Sequence, residues 1–472
     1  MVRIYFDKQI FSHLYKQEKS LYIDLLKKIE NHETSLFCYS HAHLLDLKSD
    51  KTDIKYSELS FMEKIVNDNY LSYHALEKST SPYLAKPLEA FQDIEDEPDF
   101  TDFSALFDFD TSEMSKSERD LIEQSKMLLD EKLFDLNFLT DHNGDPSSVE
   151  LLKKIFPVTT QPMNITELLE YFMGMVKTMN EDKTVYKNLR NLTDKHLNNG
   201  KFTVDYSEID FNEDLKDSVL QKSFIDFVRD NLNPNGDKKL SKYDFFTNAY
   251  LNLDILGISK ESSKNIKFNN ILNDALHSYY GAYCDCVVSD DAGFLKKTRV
   301  LYKLLGIETK VLHAEEFIKS FDFISDKEEI DFVNFKNLLL NDIKNGLVIN
   351  ERKSLKYNRQ SYTIKPIHKY LGFFNRIDKL VEDGNNYLYF YRRIKNYSNF
   401  SFLREYEMVV NNAVKIFGVD HNSKGMFNWD KEKEEIKSND WQGRFWDFQS
   451  FTIKLENNVG SRELSILMSF SL

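Results

Sequence analysis

The 472-residue chain is short of the residues that break, bend or crosslink a fold, with 15 Gly, 8 Pro and 3 Cys. So little Gly and Pro excludes a low-complexity or collagen-like chain and points to a globular protein rich in helix. Cys284 and Cys286 stand two apart with Cys38 remote, which gives neither a disulfide framework nor a zinc spacing, so the cytoplasm is the expected compartment. The opening MVRIYFDKQIF has no signal-peptide pattern, and no apolar run approaches the roughly 20 residues of a membrane span; a soluble, unprocessed chain with no membrane partner is expected. Gly-rich phosphate loops and internal repeats are absent too, so nothing supports ATP or NAD dependence.

Positive charge is also scarce overall. The net charge of −14 argues against adhesion to nucleic acid by the whole surface. The deficit is uneven. Residues 331–472 hold 22 Lys and Arg against 17 Asp and Glu, net +5, which leaves residues 1–330 at −19. Residues 87–115 contain ten acids and no Lys or Arg, a run that repels itself; it reads either as a solvated linker or as a phosphate mimic over a basic groove.

Against these absences, short apolar runs ending in acids stand out. VRIYFD reads as a buried strand closed by Asp7, and QIFSHLYKQEKSLYIDLLKKIEN as one amphipathic helix. SLFCYS reads as a second strand, and Ser40 then caps a helix with Asp46 about two turns inside it. Residues 116–265 are mostly helical in pattern. NLNPNGDKKLSKYD puts Gly236 sixth, as in a calcium loop, but Lys238 and Lys242 replace the required apolar and Glu positions, so the segment is a turn. CVVSDD is a buried strand ending at Asp290 and Asp291, KKTRVLYKLLGI a helix, and TKVLHAEEFI a strand with its helix. After about residue 330, runs such as QSYTIKPI, NYLYFYRRI and ELSILMSFSL, around the helix FLREYEMVVNNAVKIFG, predict an α+β domain with an antiparallel sheet.

Phosphodiester hydrolysis near neutral pH needs an acidified water and a stabilised leaving oxygen, which Mg²⁺ or Mn²⁺ held by carboxylates supplies. Acids at the carboxyl ends of strands suit that work. VRIYFDKQIF, CYSHAHLLDL and NDALHSYYGAYCDCVVSDDAGFLKKT resemble the successive motifs of PIN-like nuclease domains. Carried over by residue, the resemblance implies Asp7, Asp46, Asp274 and Asp291 as catalytic metal ligands, with Ser289 in the Ser/Thr position and Phe294 as the aromatic. Asp46 stands where the family usually has Glu. The implied fold is an α/β PIN-like α/β/α sandwich with a parallel sheet from residues 1–50 and 243–325, interrupted by a mostly helical insertion, 51–242, and followed by a C-terminal α+β domain, 326–472. The implied activity is metal-dependent cleavage of RNA or DNA.

Asp290 competes with Asp291 for the metal, and Asp285 is a candidate for the second shell. His41, His43 and His277 read as helix-face residues hydrogen-bonded locally, and Lys296 and Lys297 as phosphate contacts or plain surface. Between Glu351 and Lys395 eleven basic residues meet four acids among many aromatics, and Arg352, Lys353, Arg359, Arg392 and Arg393 are candidate nucleic-acid contacts. The same region also suits a protein partner or a homo-oligomer contact. The rival expectation is a catalytically inactive PIN-like binding or scaffold subunit; a place in bacterial antiviral defence or as a toxin agrees with either.

Overall fold

The computed structural model describes residues 1–30, 35–95, 211–218, 220–233, 239–256, 268–324, 331–354, 359–382, 385–457 and 463–470, with Gly236 and scattered positions between 171 and 191. Most of the acidic run, from residue 96 on, and the segment 116–170 lie outside the described residues. Among the described residues no helix is long and apolar enough to cross a membrane.

The protein is mixed α/β, with one largely parallel sheet and one antiparallel sheet. It divides into two compact units, the first made of residues 1–91, 277–295 and 305–472, the second of residues 92–276 and 296–304.

In the first unit β1 (Val2–Phe6) is buried along its whole length, as its apolar and aromatic run requires of a central strand covered on both faces. The single helix expected next is two, α1 (Lys8–Lys16) and α2 (Ser20–Glu30), parted at Gln17 with φ 52°. Residues 16–20 are all exposed. At about 100° per residue a continuous helix would carry Tyr22 roughly 80° off the face of Leu14, so a break lets both stripes reach the core. β2 (Ser35–Ser40) and α3 (His41–Ser49) follow, with Ser40 capping α3 through a bond from the Ala42 amide. After α4 (Ile54–Val66), β3 (Asn69–His74) and β4 (Ser79–Leu84) form a hairpin that joins the sheet through β2. Residues 69–84 are thus sheet, where the sequence pattern suggests the start of a helical insertion. α5 (Pro87–Glu95) opens the acidic run as ordinary helix.

The second unit contains α6 (Phe224–Leu232) and α7 (Lys242–Ile255), each capped by a serine, Ser223 and Ser241. Helix α8 (Phe268–Gly281) begins in this unit and ends in the first. Lys297 is neither a surface residue nor a phosphate contact: it is buried here, 3.0 Å from Asp254, with its ammonium over the Tyr250 ring. Tyr186 also donates to Asp254.

β5 (Cys286–Val288) pairs parallel with β1, and after α9 (Ala292–Leu304), β6 (Lys310–Leu312) pairs parallel with β5. The sheet order is β4-β3-β2-β1-β5-β6. The chain builds outward from β1 in one direction, returns, and builds outward in the other, so the order reverses between β1 and β5.

Helices α10 (Ala314–Ile324) and α11 (Phe332–Asn345) lead to the second sheet. Its strands are β7 (Leu347–Ser354), β8 (Arg359–Lys365), β9 (Arg376–Glu382), β10 (Asn385–Tyr391), and, after α12 (Leu403–Phe417) and α13 (Trp429–Lys437), β11 (Arg444–Asp447), β12 (Phe451–Asn457) and β13 (Leu464–Phe470). They are antiparallel throughout, in the order β11-β12-β13-β10-β9-β8-β7. One face, with Ile377, Leu388, Phe390, Ile453, Leu455, Ile466 and Met468, is buried in a core shared with Tyr406, Val409, Val410 and Ala413 of α12. The period-2 alternation follows from having one covered face.

Charge ties this half to β1. The Arg3 guanidinium donates two bonds of 2.7 Å to Glu405 on α12, and Arg392 bridges Glu405 (2.9 Å) and Asp285 (2.7 Å). Burial works against the Glu405 carboxylate, but Arg3 and Arg392 outweigh it and hold its pKa below the usual range.

Candidate acidic site at the sheet switch point

In an open α/β sheet the crevice outside the carboxyl ends of the strands, where strand order reverses, is where ligands bind. Asp7 closes β1 there, and Ser289, Asp290 and Asp291 follow β5. The Asp7 backbone amide donates to Val288 O at 2.9 Å, which locks the two strand ends side by side. A single hydroxyl then joins the acids: Ser289 Oγ donates to Asp7 Oδ2 at 2.6 Å and accepts from the Asp291 amide at 3.1 Å. Asp291 also caps α9, one oxygen accepting from the Phe294 amide at 2.8 Å.

Asp46 enters from α3, its Oδ2 2.9 Å from His277 Nε2. His277 is buried, and its Nδ1 lies 2.8 Å from the Tyr5 hydroxyl, itself 2.7 Å from Ser40 Oγ. With Asp46 as a carboxylate, His277 Nε2 is the donor, so in the neutral ring Nδ1 accepts from Tyr5. His43 completes the floor: Nδ1 accepts from the Ser40 amide at 3.1 Å and Nε2 donates to Phe6 O at 2.7 Å. Burial, with His277 beside it, pulls the His43 pKa down to about 3, so this ring is a neutral brace.

Burial raises the Asp7 pKa most; His277 and the Ser289 hydroxyl pull it down, while the neighbouring charges of Asp46 and Asp291 push it up. Three acids therefore share one electrostatic neighbourhood. Ser289 bonds to Asp7, and Phe294, whose amide bonds the Asp291 cap, is buried.

Asp290 and Asp285 lie elsewhere. Asp290 turns to the opposite side, accepting from the Tyr22 hydroxyl, from His313 Nε2 at 3.1 Å and from the Ala314 amide at 3.2 Å. Asp285 precedes β5 and so sits at its amino end, away from the acids; it binds the Arg3 amide at 2.8 Å and belongs to the Arg3–Glu405–Arg392 network, not to a second shell. Asp274, one turn before His277 on α8, belongs to the second unit. Of the five candidate basic contacts, Arg392 is consumed in that network and stacked on Phe373, while Arg352, Lys353, Arg359 and Arg393 are exposed.

The bracing by His277 and Tyr5 escapes a reading of sequence. His277 and Asp46 are 231 residues apart, and no spacing rule joins them.

Among the described residues no group of three or more His, Cys, Asp or Glu side chains is arranged to hold a metal ion. The donor chemistry nonetheless suits a hard cation. Mg²⁺ keeps several waters and is often held by only one or two carboxylates plus substrate phosphate. One oxygen each of Asp7 and Asp291 accepts no hydrogen bond among the described residues. No family model, curated protein or solved structure matches this chain.

Proposed function

We propose that the protein is a metal-dependent nuclease of PIN-like type whose site is built on Asp7, Asp46 and Asp291. One observation carries the reading: three carboxylates of like charge gather at the reversal point of a parallel sheet, with Asp7 raised in pKa by burial and by the other two. Like charges held together and half-shielded from water repel, and a cation that joins them relieves the repulsion. Asp7 and Asp291 would hold a Mg²⁺ or Mn²⁺ ion, with Asp46 alongside. Such an ion, when bound, acidifies water and stabilises charge on a leaving phosphodiester oxygen.

The chain's own part is positioning. Ser289 sets the spacing of Asp7 and Asp291, the start of α9 orients Asp291, and the Tyr5–His277 pair holds Asp46. An anionic substrate would meet no attractive field at these acids alone; the cation reverses it.

A second reading, a PIN-like fold that serves as a catalytically inactive binding or scaffold subunit, is favoured by the commitment of Asp46 Oδ2 to His277. One assay separates the two. The protein and an Asp7→Asn, Asp291→Asn double variant are incubated with single- and double-stranded RNA and DNA and Mn²⁺. Cleavage by the parent alone is expected; equal cleavage by both removes these acids from the chemistry, and none by either leaves the scaffold.

A further inference from the structure

The face of the antiparallel sheet opposite its core is the feature that the acidic site does not use. Register aligns Arg376, Tyr391 and Ser465 side by side across β9, β10 and β13, and Asp378, Tyr389 and Leu467 in the next row on that face. Alternation along β10 puts Tyr387, Tyr389 and Tyr391 together on this outer face, while Leu388 and Phe390 enter the core. The three tyrosines are partly exposed, in a row at the middle of a seven-stranded sheet, and the Tyr389 and Tyr391 rings lie 5.6 Å apart.

Two buried polar atoms beside Tyr391 have no hydrogen-bond partner among the described residues. Ser465 is fully buried with its Oγ unbonded, and Arg376 Nε is likewise buried without an acceptor. Ser465, fully buried, is out of reach of a ligand, but Arg376 as a whole is partly exposed beside the partly exposed Tyr391 ring, so its guanidinium is the group there that can meet an acceptor from outside. A hollow of about 100 Å³, walled by Tyr389, Tyr391, Asn396, Ser398 and Arg392, opens at the same end of the row. At the other end Arg359 is exposed on β8.

We infer that this face is a binding track for single-stranded nucleic acid, with bases stacked on Tyr387, Tyr389 and Tyr391 and a phosphate bonded to Arg376. The choice of nucleic acid over other occupants rests on the nuclease reading. The chemistry agrees with it: aromatic platforms accept the face of any base, a guanidinium suits a phosphate, and a duplex with its bases stacked inside offers the rings nothing.

The test is binding without cleavage. Fluorescence anisotropy of labelled oligo(U), oligo(dT) and a duplex of equal length is measured with the full chain in EDTA. Both single strands should bind more tightly than the duplex, and the two affinities state whether RNA or DNA is preferred. Tyr389→Ala should weaken single-strand binding at least about tenfold, and Tyr389→Phe should keep it, because stacking needs the ring and not the hydroxyl. Arg376→Gln, which preserves bulk, should weaken binding and flatten its salt dependence. A melting curve for each variant confirms folding.

Unchanged affinity in folded Tyr389→Ala and Arg376→Gln overturns the track. So does self-association that is lost in these variants without any nucleic-acid binding, which would assign the face to a second copy of the chain. Binding as described with no cleavage under any condition keeps the track and sinks the nuclease reading; cleavage with variant-independent affinity does the reverse.

Discussion

Two clusters of charge in the first unit, one buried and one half-buried, are built on opposite plans. Around Arg444, completely buried, Asp420 is bonded at 2.7 Å and Glu432 at 2.5 and 3.2 Å, while the Trp441 ring donates a further 2.9 Å bond to Glu432. Each charge there has an opposite neighbour. Around Asp7, the neighbouring charges of Asp46 and Asp291 push its pKa up, while His277 and the Ser289 hydroxyl pull it down. The first cluster closes on itself and holds β11 against α13. The second gathers acids where the strand order reverses, which is the feature the proposed metal site rests on.

The contrast breaks first at Arg444. Arg444→Met should leave Asp420 and Glu432 buried without their cation and cost about 3–5 kcal/mol in urea denaturation. A loss under about 1 kcal/mol would mean the network is not the brace described.

Next comes the cation itself. Mn²⁺ at about 100 times its Kd should stabilise the protein by roughly 2.7 kcal/mol, read as a rise in Tm, and the Asp7→Asn, Asp291→Asn double variant should show no rise. An equal rise in both proteins would place the ion elsewhere.

The smallest effect, and the sharpest in sign, is pH. Asp420 is held below the ordinary carboxylate value: burial opposes this, but Arg444 outweighs it. Its contribution is therefore present above the unfolded pKa of about 3.9 and is lost as pH falls through the lower folded value. Asp7 is raised, so the folded state binds its proton more tightly than the unfolded chain; that advantage is complete below about 3.9 and is lost as pH rises through the folded value. Asp7→Asn should thus gain stability on the parent as pH climbs from about 4 toward neutrality, whereas Asp420→Asn should match the parent most nearly in acid, fall behind it as pH rises toward about 4, and stay level above that. Parallel stability curves for the two variants would erase the distinction between the clusters.

Much of the first sheet is legible in the residues. β1, β2 and β5 are largely apolar, buried runs, which is how strands covered on both faces read, and β6 is a short edge run beside them. Ser40 as a cap and Asp7 and Asp291 beyond strand ends follow from local rules. The hairpin of β3 and β4 escapes because NYLSYH and STSPYL are polar, as edge strands tend to be, with Pro82 on the outermost one. β9, RIDKLVE, escapes because charged residues occupy both faces of its pattern.

The sequence by itself determined which acids end strands, which serine stands beside them, and that the C-terminal third alternates as a half-covered sheet must, because these depend on neighbours within a few positions. Tertiary structure alone decided that Asp291 and not Asp290 faces Asp7, that His277 braces Asp46, and that Arg392 and Asp285 belong to a clamp. Which side of a strand end an acid occupies is set by partners such as Tyr22 and His313, more than 20 residues away, and a one-residue rotation exchanges the two outcomes.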